Sequence, residues 1–144
     1  MPRIHLQRSI AAPPEHVFAW LADPAAIAGI PLVLHAGWEP GSTPPRAGSV
    51  RRVTGPGLRM REQLTAYDPP NTYSYLIIQS FPPFNHDGGT LTFTPEGTGT
   101  LVDWDTRYTH PILAGGKALE ALTKPILSWS FTKILANCAA ALEN

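Results

Sequence analysis

KALEALTKPILSWSFTKILANCAAAL, residues 117–142, has the pattern of one long amphipathic helix. Leu119, Leu122, Ile126, Phe131, Ile134, Cys138 and Leu142 recur every three or four residues, the period of one apolar face of an α-helix. Pro125 interrupts the pattern. Either one helix kinks there, or two segments meet and the main one starts near Thr123 as its N-cap. Pro111 and Gly115-Gly116 separate this helix from everything before it.

Upstream, the apolar period drops to two. Residues 49–54 and 58–67 flank Gly55-Pro56-Gly57, where Gly supplies a positive φ and Pro presets the turn, so a hairpin is expected. Asp68-Pro69-Pro70-Asn71 turns the chain into a strand over 72–80. Residues 81–89 read as a longer loop, and strands 90–94 and 98–109 flank the turn Pro95-Glu96-Gly97. Residues 3–11 alternate as a first strand. Pro13-Pro14 then suits a helical first turn, with Val17, Phe18 and Leu21 as its apolar face and Asp23-Pro24 as its stop. Residues 25–30 add a helical turn before Pro31, residues 34–38 a brief strand, and residues 39–45 a loop. Connections this short join antiparallel neighbours, since parallel crossovers need a dozen residues or more. A curved sheet must cover its apolar face, and only one long amphipathic element is available to do so. The expected architecture is α+β: an antiparallel sheet of about six to seven strands wrapped around a long C-terminal helix, with two short helices after strand 1.

Composition narrows the function classes. The 144 residues fit one domain, 1–144, and 43% are apolar. Eleven Lys/Arg balance eleven Asp/Glu, which lacks the electrostatic footprint of a nucleic-acid binder. The single cysteine, Cys138, rules out an internal disulfide framework and multi-Cys metal sites, and the five histidines show neither HxH nor HExxH spacing, so no metal is expected. The N-terminus has no signal-peptide core, and the longest apolar stretch, residues 25–34, is broken by Gly29 and Pro31, far short of the ~20 residues that span a bilayer. A cytoplasmic protein without stable membrane insertion, monomeric or homodimeric, is the expectation.

Several constellations carry possible chemistry. If Leu58, Met60, Glu62, Leu64 and Ala66 face inward, Glu62 is an acid among apolar groups and wants a cation, which Arg51 on the neighbouring strand would supply. That pair reads either as a buried ion pair fixing register or as a polar anchor inside a cavity. Arg46, Arg51, Arg52, Arg59 and Arg61 crowd one hairpin, as a solvated surface or an acidic-partner patch. Asp103 and Asp105 share a strand face with Arg107 and are expected outward. Thr100, Val102, Trp104, Thr106 and Tyr108 then line the other face. His86-Asp87, in the loop after Phe81 and Phe84, is either an exposed loop pair or an acid–base group at a pocket mouth. Ser130-Phe-Thr-Lys133 lacks the companion motifs of penicillin-recognising enzymes, and Gly115-Gly-Lys117 lacks the upstream glycine of a phosphate loop.

Order and residues together resemble the SRPBCC superfamily, the START-related, polyketide-cyclase-like and birch-pollen-allergen-like helix-grip domains. IAAPPEHVFAWLAD (10–23) resembles the opening strand and helix. GSVRR (48–52), Glu62 followed by YDPP (67–70) and YSY (73–75), GTLVDW (99–104) and ILANCAAALE (134–143) resemble later motifs. The resemblance covers nearly the whole chain. It implies a cavity between sheet and long helix that holds a hydrophobic small molecule (a lipid, polyketide or aromatic compound), and no cofactor. Its expected walls are Met60, Tyr75, Ile77, Phe84, Trp104, Tyr108, Leu127 and Phe131, with Arg51 and Glu62 as polar anchors. The enzyme alternative is a cofactor-independent cyclase, aromatase or dehydratase with Glu62, His86 or Tyr108 moving protons. A co-chaperone-like partner-binding module is the third reading.

Overall fold

In the computed structural model, which describes residues 2–143, seven strands form one antiparallel sheet. They are β1 (Arg3–Ile10), β2 (His35–Trp38), β3 (Val50–Gly55), β4 (Leu58–Asp68), β5 (Thr72–Phe81), β6 (Asn85–Glu96) and β7 (Gly99–Thr109), in the spatial order β1-β7-β6-β5-β4-β3-β2. Helices α1 (Pro14–Ala22) and α2 (Ala25–Ala28) connect the two edge strands, and α3 (Gly116–Leu142) crosses the concave face. This is the helix-grip arrangement. Every neighbouring pair except β1–β7 is consecutive in the chain, so each turn fixes the register of the next strand. In the β3–β4 hairpin, Gly57 takes φ +67°, the left-handed value that glycine adopts without strain.

Alternation in β7 sorts the faces as expected. Thr100, Val102, Trp104, Thr106 and Tyr108 are all buried, while Asp103 and Asp105 face out. Outside, β1 supplies their partners: Arg3 grips Asp105 through two hydrogen bonds of 2.9 and 2.8 Å, and His5 and Gln7 contact Asp103 at 2.9 and 2.7 Å. Trp104 and Tyr108 are left to the interior.

Two irregularities change the expected pattern. In β4 a register shift between Leu64 and Ala66 puts Ala66 outside, and Tyr67 turns inward instead against Phe18. A bulge adds one residue, which strict alternation cannot anticipate. The loop expected over 81–89 is mostly strand, because β6 already begins at Asn85 and carries a shift between His86 and Gly89.

Helix α3 runs unbroken through Pro125. That proline and Ala121, whose carbonyl loses its helical donor, are both exposed, so water can serve the freed group. Thr123 caps nothing; its hydroxyl is engaged by Tyr108 and His110, each at 3.0 Å. The expected apolar face holds only in the second half, where Ile134, Leu135, Cys138 and Ala139 are buried. Leu122 is 60% exposed and Ile126 42%.

The core is accordingly filled at one end only. There Phe18 of α1 meets Tyr67, Tyr73 and Phe93 at ring distances of 5.4, 5.5 and 5.1 Å. Between residues 117 and 129, α3 buries no side chain fully, and it reaches β7 through the Thr123–Tyr108 hydrogen bond.

Candidate functional site

The space under that half of α3 is a cavity of about 170 Å³, with a second of about 50 Å³ beside it. The two share Met60, Glu62, Tyr75, Phe84, Leu127 and Phe131 as walls. Strands β3 to β7 supply the floor because their inward alternation is dominated by large side chains. Phe131 lies flat on Trp104, with centroids 4.3 Å apart and planes 18° apart, and Trp104 Nε1 donates to the Tyr75 hydroxyl at 3.0 Å. Tyr75 reaches that position over Gly89, where an added Cβ would collide with the ring. Burial pushes the Tyr75 hydroxyl well above its ordinary pKa, so it stays a neutral phenol.

All ten wall and anchor positions expected from the sequence border these two cavities. Arg51 and Trp104 line the larger, Ile77 and Tyr108 the smaller, and the other six line both. Sequence reasoning missed the wall contributed by α1, α2 and the segment after them, including Leu21, Ile27, Ile30, Leu32 and Val33. The i, i+3, i+6 spacing of Ile27, Ile30 and Val33 was the available signal.

Arg51 and Glu62 face each other across β3 and β4 as direct register partners. Both are buried, with 2% and 8% of their surface exposed, and Arg51 Nη2 lies 3.2 Å from Glu62 Oε1. Burial works against the guanidinium's charge, but the Glu62 carboxylate and the Tyr73 and Tyr75 hydroxyls outweigh it, so the Arg51 pKa goes up. Arg51 Nη1 also donates to the carbonyl of Ala22 at 3.4 Å, and the Tyr73 hydroxyl donates to that of Leu21 at 3.2 Å. Together they serve carbonyls at the C-terminal end of α1, which attracts a cation. The pairing is incomplete: among the described residues Arg51 Nε and Glu62 Oε1 have no hydrogen-bond partner. The contact is one of charge, without the alignment of a hydrogen bond.

His86 is not in a loop. On the bulged start of β6, its Nδ1 accepts the Ile77 backbone N–H at 2.9 Å, which fixes the proton on Nε2 for the Thr106 hydroxyl at 2.8 Å. The ring thus replaces a ladder bond that the bulge removes. Burial lowers its pKa to about 4, and both nitrogens are committed. Tyr108 donates to Thr123, Thr123 to His110 Nε2, and His110 Nδ1 to the Pro83 carbonyl at 2.7 Å, the proton order that satisfies every group. This chain ties the 82–84 loop to β7 and α3.

The arginine hairpin is largely spent on its own structure. Arg52 and Arg61 both bind Glu39 and hold its carboxyl down at about 2, while Arg51 points inside. Cys138 is buried, and burial pushes its thiol up to about 12, as suits a packed, unreactive group. Among the described residues no three His, Cys, Asp or Glu side chains come together as a metal site requires, and no helix is long and apolar enough to cross a membrane.

A sequence profile described as polyketide cyclase / dehydrase and lipid transport matches residues 1–143. No curated protein matches the chain significantly. Among solved structures, TTHA0849 from Thermus thermophilus superposes with a TM-score of 0.74 at 23% identity, over 96% of this chain and 95% of that one. XoxI from Bacillus cereus gives 0.74 at 18%, over 100% and 97%. Ara h 8.0201 gives 0.65 at 13%, over 96% and 98%. At these identities the likeness is one of fold.

Proposed function

The chain belongs to the polyketide cyclase/dehydrase and lipid transport family of SRPBCC-type helix-grip domains, and from that premise we propose that it binds one small hydrophobic molecule beneath the N-terminal half of α3. The observation that carries this reading is the cavity itself. Well-packed interiors leave few voids larger than a water molecule, yet here a wall of aromatic and aliphatic side chains surrounds about 170 Å³. A void of that size is costly to a core, since every lining group forgoes contacts it would make in a filled interior. A ligand restores them. For scale, an engineered apolar cavity of ~150 Å³ binds benzene, so this one suits a body of one or two rings and excludes a two-chain lipid.

In this reading Trp104 and Phe131 form one flat wall, Met60, Phe84 and Leu127 close the others, and Arg51 and Glu62 orient a polar end. The loop 82–84, tied down through His110, and the exposed edge at Leu32 and Ile126 frame the way in. Entry of an aromatic ligand beside Trp104 changes its emission, so titration of intrinsic fluorescence with naphthalene-sized aromatics, checked by native mass spectrometry, tests the proposal. Saturable 1:1 binding supports it, and absence of binding across apolar and aromatic libraries overturns it.

One observation keeps the enzymatic reading in play. Glu62 lines both cavities, and its carboxylate would serve as proton acceptor for a ketone-bearing substrate held there. Turnover of a polyketone analogue that survives Glu62→Gln unchanged would remove it.

A further inference from the structure

The binding reading leaves open what polar group the ligand carries, and the wall of the cavity narrows it. Among the described residues Arg51 is the one cation lining the larger cavity and Glu62 the one carboxylate. Each has spent part of its capacity: Arg51 Nη1 on the Ala22 carbonyl, Nη2 on the charge of Glu62. Two buried atoms of the pair have no hydrogen-bond partner, the donor Arg51 Nε–H and the acceptor Glu62 Oε1, whose contact with Nη2 is one of charge alone. Buried polar atoms left unmatched are rare in native interiors and mark a missing partner. The missing partner has to accept one hydrogen bond and donate one within a few ångströms, between two opposite charges that already cancel.

We propose that the ligand presents a neutral hydroxyl to the Arg51–Glu62 pair, on a compact apolar body of one or two rings: a phenol, an enol or a cyclic alcohol. This rests on the binding reading above. The other polar groups fail for separate reasons. A carboxylate would set a second anion beside Glu62 with a single guanidinium to serve both. An ammonium would do the same to Arg51. A ketone or ether accepts from Nε but leaves the Glu62 oxygen bare. A hydroxyl satisfies both atoms and adds no charge to a wall that is otherwise apolar. The terminal torsion of a glutamate is broad, so a modest turn of the Glu62 carboxylate brings it to the cavity surface. A body larger than two rings exceeds about 170 Å³ unless it also fills the 50 Å³ space beside Tyr108.

Calorimetric titration of the full chain with 2-naphthol, naphthalene, 2-methoxynaphthalene and 2-naphthoate separates these cases. Their apolar bodies are alike, so differences report the polar group. The expected result is 2-naphthol binding about tenfold or more tighter than naphthalene and 2-methoxynaphthalene, the order expected for hydrogen bonding to charged groups. 2-Naphthoate should bind weakest. In the double variant Arg51→Met with Glu62→Leu, the naphthol-to-naphthalene ratio should collapse toward one. Equal affinities for naphthol and naphthalene in the unmodified chain, or naphthoate as the tightest ligand, overturn the hydroxyl assignment while leaving an apolar-cavity binder intact. Failure of all four probes overturns the binding reading as well. Should the double variant not fold, the four-ligand comparison on the unmodified chain decides alone.

Discussion

Glu62→Leu removes the anion from a guanidinium whose side chain is 3% exposed and leaves an apolar side chain in its place. Among the described residues no other carboxylate lines this cavity to take its place, so Arg51 keeps a buried charge with the Ala22 carbonyl and the faces of Tyr73 and Tyr75, 5.7 and 5.9 Å away, to support it. Breaking one side of a buried pair costs about 3–5 kcal/mol. Arg51→Met strands Glu62 in the same way and adds the loss of the bond to the end of α1. The double variant Arg51→Met/Glu62→Leu removes both charges together, and replacement of a whole buried pair by apolar groups is commonly neutral or stabilising. Its expected stability lies within ~1 kcal/mol of the unmodified protein, so with single losses of about 3–5 kcal/mol each the coupling between the two sites should be about 5 kcal/mol or more. Urea unfolding followed by Trp fluorescence measures all four corners of this cycle, and thermal melts should show the single variants ~12–20 °C lower at ~4 °C per kcal/mol. Additive losses in the double variant, or single losses below ~1 kcal/mol, would refute the reasoning. Nothing in stability alone then requires an ion pair here, which is why its position on a cavity wall points to a ligand.

His86 has a folded pKa lowered to about 4 from 6.5, so its unfolded form binds the extra proton first; that part of the stability is complete above pH 6.5 and is lost as pH falls toward 4. Urea midpoints across this window should show a limb that His86→Gln flattens, and an unchanged slope would count against the buried neutral ring. Glu39, held at about 2, acts in the separate window from pH 4.5 downward, and Glu39→Gln should alter that limb alone. Gly89→Ala forces a methyl against the Tyr75 ring and should cost about 1–3 kcal/mol in the same assay, together with a loss of ligand affinity as the Tyr75–Trp104 wall shifts. Pro125→Ala restores an N–H to an exposed helix interior and should stabilise by about 1–2 kcal/mol once the looser unfolded chain is allowed for; destabilisation would mean the proline fits a bend the helix needs.

What the sequence revealed and what it hid divide along physical lines. Strict alternation over residues 99–109 placed Trp104 and Tyr108 inside and Asp103 and Asp105 outside, because a strand has only two faces and its charges occupy one. The Arg51–Glu62 pairing was readable from the hairpin, since a short turn fixes register. Bulges defeated the same method. One extra residue moved Ala66 out and Tyr67 in, and another turned the supposed loop at His86 into a strand whose imidazole stands in for a backbone partner. Apolar spacing in residues 117–142 identified α3 but overstated its contact with the sheet. Leu122 and Ile126 continue the helical period over a segment that bridges a cavity. The spacing of Ile27, Ile30 and Val33 marks one apolar face, but that this face closes the cavity is a long-range arrangement that local spacing alone does not encode.

Ligand binding requires that an apolar molecule occupy the space between Trp104, Phe131, Met60 and the first half of α3. Crystals grown with 2-bromonaphthalene test it most directly, because bromine gives an anomalous signal that locates the ligand without interpretation of weak density. A single strong peak is expected inside the cavity, within van der Waals reach of the Trp104–Phe131 stack. Bromine found only on the outer surface, or a cavity closed by collapsed side chains in the presence of saturating ligand, would contradict it.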